Sequence, residues 1–317
     1  MNLRNSPASG FAGLSSAAFH PILYPLLFVL LWGTGFIGAR LGLPYADPYS
    51  FLAIRLLAAS IFMAFVAWLG RAAWPRGVDL KHCLVSGLLI HLGYLGGVFT
   101  GVWLGCPPAV GALITGLQPL LTGLLAARIL GEKINPQVIV GLGLGLVGVL
   151  IVLSDHLSFR NYNHYSLIPI VVALLSITAG TVYQKRFFGS TDIRAGSAVQ
   201  YLLCGILFAL PSLLSFLVPA AGIPSFKDIR WTGEFWTALI WLTMVLSVVS
   251  IALLFWLIRA YSASRVSSLM YLVPPTTAVE AWLLFGDPLS VRIVVGMGVV
   301  ILGLLWGERA RRLSLSE

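Results

Sequence analysis

Charged residues are scarce in this sequence. Of its 317 residues only 10% are charged, whereas 58% are hydrophobic, and the mean hydropathy is +0.94. A soluble domain carries about a quarter charged residues, so these few charges cannot cover the surface of a soluble fold of this length. The composition argues against a water-soluble globular protein and predicts an all-α membrane protein whose apolar surface is solvated by lipid.

Cysteine and the common catalytic motifs are also sparse or missing. The three cysteines, Cys83, Cys106 and Cys204, lie in or beside apolar runs. No CxxC or Cys/His spacing indicates a disulfide framework or a metal site. No HExxH, GxSxG or GxxxxGK sequence occurs, so an enzyme is not expected. Neither a cofactor nor a metal is predicted.

The N-terminus lacks the pattern of a signal peptide. Residues 1–20 are small and polar, and no apolar region of signal length precedes the first long hydrophobic run. We interpret them as a flexible cytoplasmic tail. The net charge of +9 would suggest nucleic-acid binding in a soluble protein. Here the basic residues sit in short loops between apolar runs, so no nucleic-acid partner is expected.

Long hydrophobic runs fill most of the remaining chain. A membrane-spanning helix needs about 20 largely apolar residues. Because the runs are continuous rather than alternating, they predict helices and not the strands of a membrane barrel. We predict ten transmembrane helices, at residues 22–43, 49–69, 82–104, 107–130, 136–154, 165–186, 195–218, 235–259, 265–285 and 289–307.

The distribution of lysine and arginine predicts the orientation. With the N-terminus inside, fourteen of the 20 basic residues fall on the cytoplasmic side, five fall outside, and Arg55 lies within a helix. Positively charged loops are retained in the cytoplasm. Both termini are therefore predicted to be cytoplasmic, and residues 308–317 form a basic cytoplasmic tail.

The two halves of the sequence resemble each other. At a constant offset of 155 residues, Pro119 falls on Pro274 and the turn residue Glu132 falls on Asp287. Three glycines in helix 5 fall on three glycines in helix 10 at the same offset. No gap is needed, so chance similarity between apolar runs does not explain the match.

The repeat predicts how the chain is organised. Helices 1–5, at residues 21–154, repeat as helices 6–10, at residues 165–307, and an extracytoplasmic linker at 155–164 joins them. An odd number of helices in each copy inverts the second copy in the membrane. Such inverted repeats are typical of secondary transporters, which bind substrate near the midplane between the halves.

Four stretches of the sequence carry a family resemblance. They are LLWGTGFIGARLGL, FLAIRLLAA around Arg55, PLLTGLLAARILGEKI and YLVPPTTAVEAWLLFGDPLS. Together they resemble the drug/metabolite transporter superfamily, EamA type, over about residues 22–307. The resemblance implies ten helices, a central cavity, and helices 5 and 10 at the periphery. It also implies transport of amino acids, sugars or other small metabolites, commonly outward from bacteria.

Ionisable residues inside the predicted helices are candidates for a substrate cavity, because burying them in a bilayer is costly. Glu280 is the only acidic residue placed inside a helix; it is either a proton or substrate site or the partner of a nearby group. Arg55 either snorkels to the outer surface or faces the cavity and binds a carboxylate. His91 shares a helix face with Tyr94, which indicates either a cavity lining or a hydrogen-bonded core histidine.

Polar and aromatic residues of the other helices complete the candidate cavity. Trp32 belongs either to an interfacial aromatic belt or, ten residues into the span, to the protein interior. Thr34 lies beside it, between two glycines. The remaining candidates lie near the two prolines and in helix 6: Thr115, Gln118, Thr178, Tyr271 and Thr276.

Prolines and glycines are predicted to shape movement and packing. Pro119 and Pro274 are predicted hinges, because proline frees a backbone carbonyl within the helix. The glycines of helices 5 and 10 have small-xxx-small spacing, which favours close helix packing. They are Gly141, Gly145, Gly303 and Gly307.

The repeat predicts a secondary transporter that moves a small solute by alternating access, and the resemblance implies that it lies in the bacterial inner membrane. Export of an amino acid or a related compound is favoured, and a homodimer is left open. The alternative is a proton-coupled metabolite or drug antiporter that uses Glu280 or His91. Helix 1 carries no acidic residue, which weakens the drug antiporter alternative. A receptor or assembly protein is a remote alternative, because no loop exceeds about 20 residues.

Overall fold

The computed structural model describes residues 23–130, 136–157, 164–187, 191–218, 225–250, 253, 256–257 and 269–314. Every regular element in these ranges is helical, and no strand occurs in them. The predicted tail at residues 1–20 and most of the predicted linker lie outside the described residues. Residues 308–314 of the predicted C-terminal tail continue the last helix.

The described chain contains α-helices joined by short turns and by two π-helical segments. The α-helices are α1 Leu23–Gly42, α2 Pro48–Leu69, α3 Gly77–Gly87, α4 Gly96–Trp103, α5 Pro108–Thr115, α6 Gln118–Leu130, α7 Pro136–Leu157, α8 Leu167–Phe187, α9 Ile193–Leu217, α10 Gly233–Ile240, α11 Val273–Phe285 and α12 Val291–Ser314. The π-helical segments are π1, Leu88–Leu95, which joins α3 to α4, and π2, Trp241–Ser250, which continues α10. Short 3-10 turns lie at His164–Ser166, Phe226–Asp228 and Met270–Leu272.

Seven helical stretches are long and apolar enough to cross a membrane. They are Leu23–Gly42, Pro48–Leu69, Gly77–Trp103, Pro108–Leu125, His164–Gln184, Ile193–Ser215 and Gly233–Ser250. Ile139–Val152 and Val291–Gly303 are shorter apolar helices. Helical residues occur in each of the ten predicted ranges, and the third span begins five residues before its prediction. The chain is therefore a multi-pass membrane protein.

Aspartates start two of the long helices. Asp47 caps α2 by accepting hydrogen bonds from the backbone N–H groups of Tyr49 and Ser50, at 2.9 and 3.0 Å, and proline follows it at the favourable first position. Asp192 caps α9 through the backbone N–H of Arg194 at 2.9 Å. The Arg194 guanidinium also donates to Asp192 at 2.7 Å. These hydrogen bonds lower the pKa of Asp192.

The helices pack in pairs taken from the two halves of the sequence. Helix α2 lies along α9 and α7 lies along α12, while π1 and α4 contact α8 and the α10–π2 helix contacts α1. Three buried rings join these pairs at the largest hydrophobic core. The ring centroid of Phe51 in α2 lies 5.6 Å from that of Phe99 in α4 and 5.5 Å from that of Phe235 in α10.

Glycines bring α7 and α12 into backbone contact. A Cβ atom placed on Gly148 would lie 2.6 Å from the carbonyl oxygen of Gly296. A Cβ on Gly303 would lie 2.7 Å from the carbonyl oxygen of Gly141 and 2.9 Å from the backbone nitrogen of Gly145. Three of the four glycines predicted to pack thus lie at this crossing. The surroundings of Gly307 are outside the described part of the chain.

Candidate functional site

Polar side chains gather at two places inside the helices. The first, the acidic cluster, consists of Glu280 and Thr277 on α11 and Gly33 on α1. The second, the basic cluster, contains Arg55 on α2, His91 and Tyr94 on π1, Gln200 and Tyr201 on α9, and Ser247 on π2. A shallow surface cleft at the end of α2, lined by Ala67 to Trp74, is separate from both clusters.

The acidic cluster forms where α1 and α11 approach each other. A Cβ atom on Gly33 would lie 3.0 and 3.3 Å from the two carboxylate oxygens of Glu280 and 3.2 Å from Thr277 Oγ1. Thr277 donates to the carbonyl oxygen of Gly33 at 3.3 Å. Glu280 is half-buried, and its Oε2 atom has no hydrogen-bond partner among the described residues. The glycine thus leaves room for a carboxylate against the α1 backbone.

Helix α1 also holds Trp32 and Thr34. The Thr34 hydroxyl donates to the carbonyl oxygen of Leu31 at 2.6 Å and accepts from the indole Nε1 of Trp241 in π2 at 2.8 Å. The Trp32 ring packs against Phe28 with centroids 5.3 Å apart and is partly buried. Thr34 therefore links α1 to the α10–π2 helix, while Trp32 joins a separate hydrophobic cluster.

Arg55 lies at the centre of the basic cluster. Only 3% of the residue is exposed, so its side chain does not snorkel to the surface in this structure. Its Nη2 atom approaches Ser247 Oγ at 3.5 Å, and its guanidinium lies 5.6 Å from the ring centroid of Phe99. Tyr94 and Tyr201 lie within electrostatic range of the guanidinium.

His91 forms the second polar contact of the basic cluster. Its Nε2 atom lies 3.1 Å from Oε1 of Gln200. Because an amide oxygen only accepts hydrogen bonds, a neutral imidazole makes this bond with its proton on Nε2. The imidazole also packs on Tyr201, with centroids 4.7 Å apart. His91 and Tyr94 remain partly exposed, whereas Gln200 is buried.

Both π-helical segments carry residues of the basic cluster. In π2 the hydroxyls of Ser247 and Ser250 donate to carbonyl oxygens five residues earlier, at Leu242 and Val245, each at 3.1 Å. These bonds satisfy backbone acceptors along the widened helix. Short π-helical segments are frequent at functional sites, and here they bring His91 and Ser247 into contact with α9 and α2.

The remaining polar candidates make mostly local hydrogen bonds. Gln118 is the exception, because its Nε2 atom donates to Thr181 of α8 at 3.0 Å. Thr115, Thr178 and Thr276 donate to carbonyl oxygens one turn earlier in the same segment, at 2.9, 2.7 and 2.7 Å. The side chain of Tyr271 lies outside the described part of the chain.

The two predicted hinge prolines occupy equivalent local positions. Pro119 is the second residue of α6, after the turn that ends α5, and Pro274 is the second residue of α11, after a 3-10 turn. Proline is tolerated in the first turn of a helix, because no hydrogen-bonded N–H is lost there. A Cβ atom on Gly116 would lie 2.9 Å from Pro274 Cγ, so the two helix breaks lie against each other.

Several members of the two clusters were not predicted from the sequence. Ser247 and Tyr201 gave no signal, because single hydroxyl residues are common in apolar helices, and Thr277 was visible only as the residue that matches Thr122 at the offset of 155 residues. Gln200 was recognisable only because it matches Arg55 at a different offset, of 145 residues, between the second helices of the two halves. The structure brings Arg55, His91 and Tyr94 together, whereas Gln118 and Glu280 lie at other helix contacts.

Several known proteins are similar to this chain over most of its length. A transporter of Bacillus subtilis (strain 168), called the uncharacterized transporter YvbV, is 26% identical over 86% of this chain and 86% of its own length. A probable amino-acid metabolite efflux pump of Salmonella typhimurium is 25% identical over 90% of this chain and 95% of its own length. A protein of the same name from Escherichia coli (strain K12) is 24% identical over 90% and 96%.

A solved structure shares the fold. A crystal structure at 20% sequence identity superposes with a TM-score of 0.60, and the match covers 92% of this chain and 97% of that chain. The sequence profile of the EamA-like transporter family matches residues 20–154 and again 165–306. With nearly the whole chain matched and its described helices suited to a membrane, the protein belongs to the EamA-like transporter family.

Proposed function

We propose that this transporter exports a small metabolite, an amino acid or a related compound, across the bacterial inner membrane by alternating access. The observation that carries the proposal is the basic cluster, in which polar side chains of both halves meet inside the apolar helices. Arg55 in the first half contacts Ser247 in the second, and Gln200 in the second half contacts His91 in the first. A solute held there touches both halves, so their relative movement changes its access.

The proposed architecture is ten transmembrane helices in two inverted five-helix repeats, with both termini in the cytoplasm. The glycine crossing of α7 and α12 supports it. The offset of 155 residues carries Gly148 onto Gly303 and Gly141 onto Gly296, so the contact of Gly148 with Gly296 becomes the contact of Gly303 with Gly141. Two contacts that exchange in this way are expected of copies related by a two-fold axis.

Other helix contacts exchange in the same way. Segment π1 lies against α8, the first helix of the second half, while π2 lies against α1, the first helix of the first half. Similarly, α6 contacts α8 and α11 contacts α1. The two matches of the family profile, at residues 20–154 and 165–306, support the division at the linker. The basic loops support a cytoplasmic position for both termini.

The choice of solute rests on the relatives and on the chemistry of the basic cluster. Two relatives are described as probable amino-acid metabolite efflux pumps. The cluster offers a guanidinium, an imidazole, an amide and hydroxyl groups beside aromatic rings. Such a lining suits a small solute with both polar and apolar parts.

Counterflow in proteoliposomes tests this function. Purified protein would be reconstituted into vesicles loaded with one unlabelled amino acid or sugar at a time, and entry of the labelled compound would be followed. We expect accumulation of at least one amino acid or amino-acid derivative, with none in protein-free vesicles. Exchange of sugars alone would contradict the proposed solute class, and exchange of no compound would contradict the transport of either class.

Proton-coupled antiport is a second candidate, favoured by one observation at the acidic cluster. Glu280 Oε2 has no partner among the described residues, yet it lies beside the α1 backbone. A half-buried carboxyl group with an unpartnered oxygen suits a proton carrier in a membrane transporter. His91 is less suited, because its Nε2 atom already donates a hydrogen bond to Oε1 of Gln200.

For this antiport mechanism we expect Glu280→Gln to abolish uptake driven by a pH gradient while leaving counterflow active. The amide keeps the shape of the side chain and removes its titration. Asp287→Asn is the control, because Asp287 pairs with Arg40 at the helix end and is partly exposed. Uptake that follows the pH gradient equally in wild type and Glu280→Gln would exclude Glu280 as the proton carrier.

A further inference from the structure

We propose that Arg55 binds the carboxylate group of the transported solute, with Tyr94, Tyr201 and Ser247 completing the pocket. The inference rests on the proposed function and deepens it, because it names an anionic group that every solute of this transporter would share. Neutral sugars and simple amines would then be excluded as solutes.

Arg55 places a permanent charge in the protein interior. A guanidinium stays protonated in any protein environment, and Arg55 is only 3% exposed. A buried charge is unfavourable unless an opposite charge or several hydrogen bonds compensate it. A functional role is the default interpretation of such a residue inside a membrane helix.

The described part of the protein compensates this charge poorly. The ion pairs recorded in the described part of the chain join Arg40 to Asp287 and Arg194 to Asp192, both at helix ends. Arg55 Nε has no hydrogen-bond partner among the described residues. Its Nη2 contact with Ser247, at 3.5 Å, is longer than an ordinary hydrogen bond.

The aromatic contacts of Arg55 do not replace a counter-ion. The guanidinium lies 5.6 Å from the Phe99 ring centroid, near the outer limit for a cation–π interaction. Tyr94 and Tyr201 contribute phenol groups within electrostatic range, but a neutral phenol carries no compensating charge. The site therefore has a full positive charge and lacks a full negative one among the described residues.

The geometry of a guanidinium matches that of a carboxylate. The guanidinium presents parallel N–H donors in a plane, which pair with the two oxygens of a carboxylate. Nε has no hydrogen-bond partner among the described residues and Nη2 is only weakly bonded, so the donors on this edge of the fork are left for such a pair. Tyr94 is partly exposed and lies within electrostatic range of the guanidinium, so in this proposal its hydroxyl donates to the same anion.

Paired ligands test the proposal. Thermal stabilisation of the purified protein would be titrated with an amino acid that is active in counterflow, with its carboxamide and with its decarboxylated amine. If no amino acid is active in counterflow, the same titration would use a panel of amino acids. We expect wild-type protein to bind the carboxylate form about 10- to 100-fold more tightly than the amide, as expected for a hydrogen bond to a charged group.

Arg55→Gln should remove this preference by weakening carboxylate binding about 10- to 100-fold while leaving amide binding nearly unchanged. Ser50→Ala is the matched control on the same helix, because Ser50 shares a buried 2.6 Å hydrogen bond with Ser212 of α9. That variant perturbs the packing of α2 and should retain the preference for the carboxylate. Arg55→Lys keeps the charge, loses the planar fork and should show an intermediate preference.

Three results would overturn the assignment. The first is equal binding of the acid and amide by wild-type protein, and the second is an unchanged preference in Arg55→Gln. If Arg55→Gln does not fold, an unchanged preference in Arg55→Lys is the third. Active counterflow with any of these results would leave the proposed export function intact, whereas a carboxylate preference without counterflow would overturn export and keep the binding site.

Discussion

Replacing Gly148 by alanine should destabilise the protein by about 1–3 kcal/mol, the usual cost of overpacking a close contact. The new methyl group would lie 2.6 Å from the carbonyl oxygen of Gly296 and 2.8 Å from the backbone nitrogen of Val300. These are backbone atoms, so no side-chain rotation relieves the overlap, and α7 and α12 must move apart. Unfolding of the purified protein in detergent, followed by helical circular dichroism, measures the change.

Gly143 provides a control on the same helix. Nothing lies within 4 Å of a Cβ atom placed there, and alanine is favoured over glycine inside a helix by about 0.5–1 kcal/mol. Gly143→Ala should therefore leave stability unchanged or raise it slightly. Equal destabilisation by the two substitutions would contradict the close crossing of α7 and α12.

Replacing Gly33 by valine should reduce the transport rate at least about tenfold. A tenfold change in rate corresponds to about 1.4 kcal/mol, which lies within the usual free-energy cost of overpacking. Its Cβ atom alone would come within 3.0 Å of Glu280 Oε2 and 3.2 Å of Thr277 Oγ1. The two valine methyl groups would force the carboxylate away and separate α1 from α11. Counterflow by protein of confirmed monodispersity measures the loss.

The matched control for this substitution is Gly123→Val in α6. Valine has the same helix propensity in both variants, but a Cβ atom on Gly123 meets nothing within 4 Å. Transport by Gly123→Val should stay close to wild type. Similar activity of the two variants would show that the space beside Gly33 is not needed for transport.

The apolar helices were predictable because lipid imposes a simple rule on the sequence. A run such as 49–69 needs about 20 apolar residues to cross the bilayer, and α2 runs from Pro48 to Leu69. In the sequence, Asp47 and the proline that follows it interrupt the apolar pattern just before this run. Boundaries were less accurate at α3, where a polar segment from Gly77 precedes the predicted start.

The role of individual glycines was not predictable from the repeat alone. The offset of 155 residues aligned Gly143 with Gly298 as well as Gly148 with Gly303. The structure separates these pairs, because Gly148 and Gly303 contact backbone whereas Gly143 and Gly298 face open space. The sequence spacing locates a glycine on one face of its helix only to within about one turn. The position of the neighbouring helix then decides which glycines are in contact with it.

The contacts that join the basic cluster could not be predicted from the sequence for a related reason. Arg55 and His91 were candidates because ionisable residues are rare in apolar helices, whereas Ser247 resembles any other small residue there. Their contacts join residues 109 and 192 positions apart. The π-helical segments that carry His91 and Ser247 also contain no proline or charged residue from which these segments could have been predicted.

Alternating access to the basic cluster is the central claim of this account, and thiol labelling at Ser247 tests it most directly. Ser247→Cys would be introduced into a protein whose three native cysteines, Cys83, Cys106 and Cys204, are replaced by alanine. A membrane-impermeant thiol reagent would then be added to one side of the membrane at a time, in right-side-out and inverted vesicles. We expect labelling from both sides, slowed in each case by the transported solute. Labelling from one side only, or from neither side, would contradict alternating access at this site.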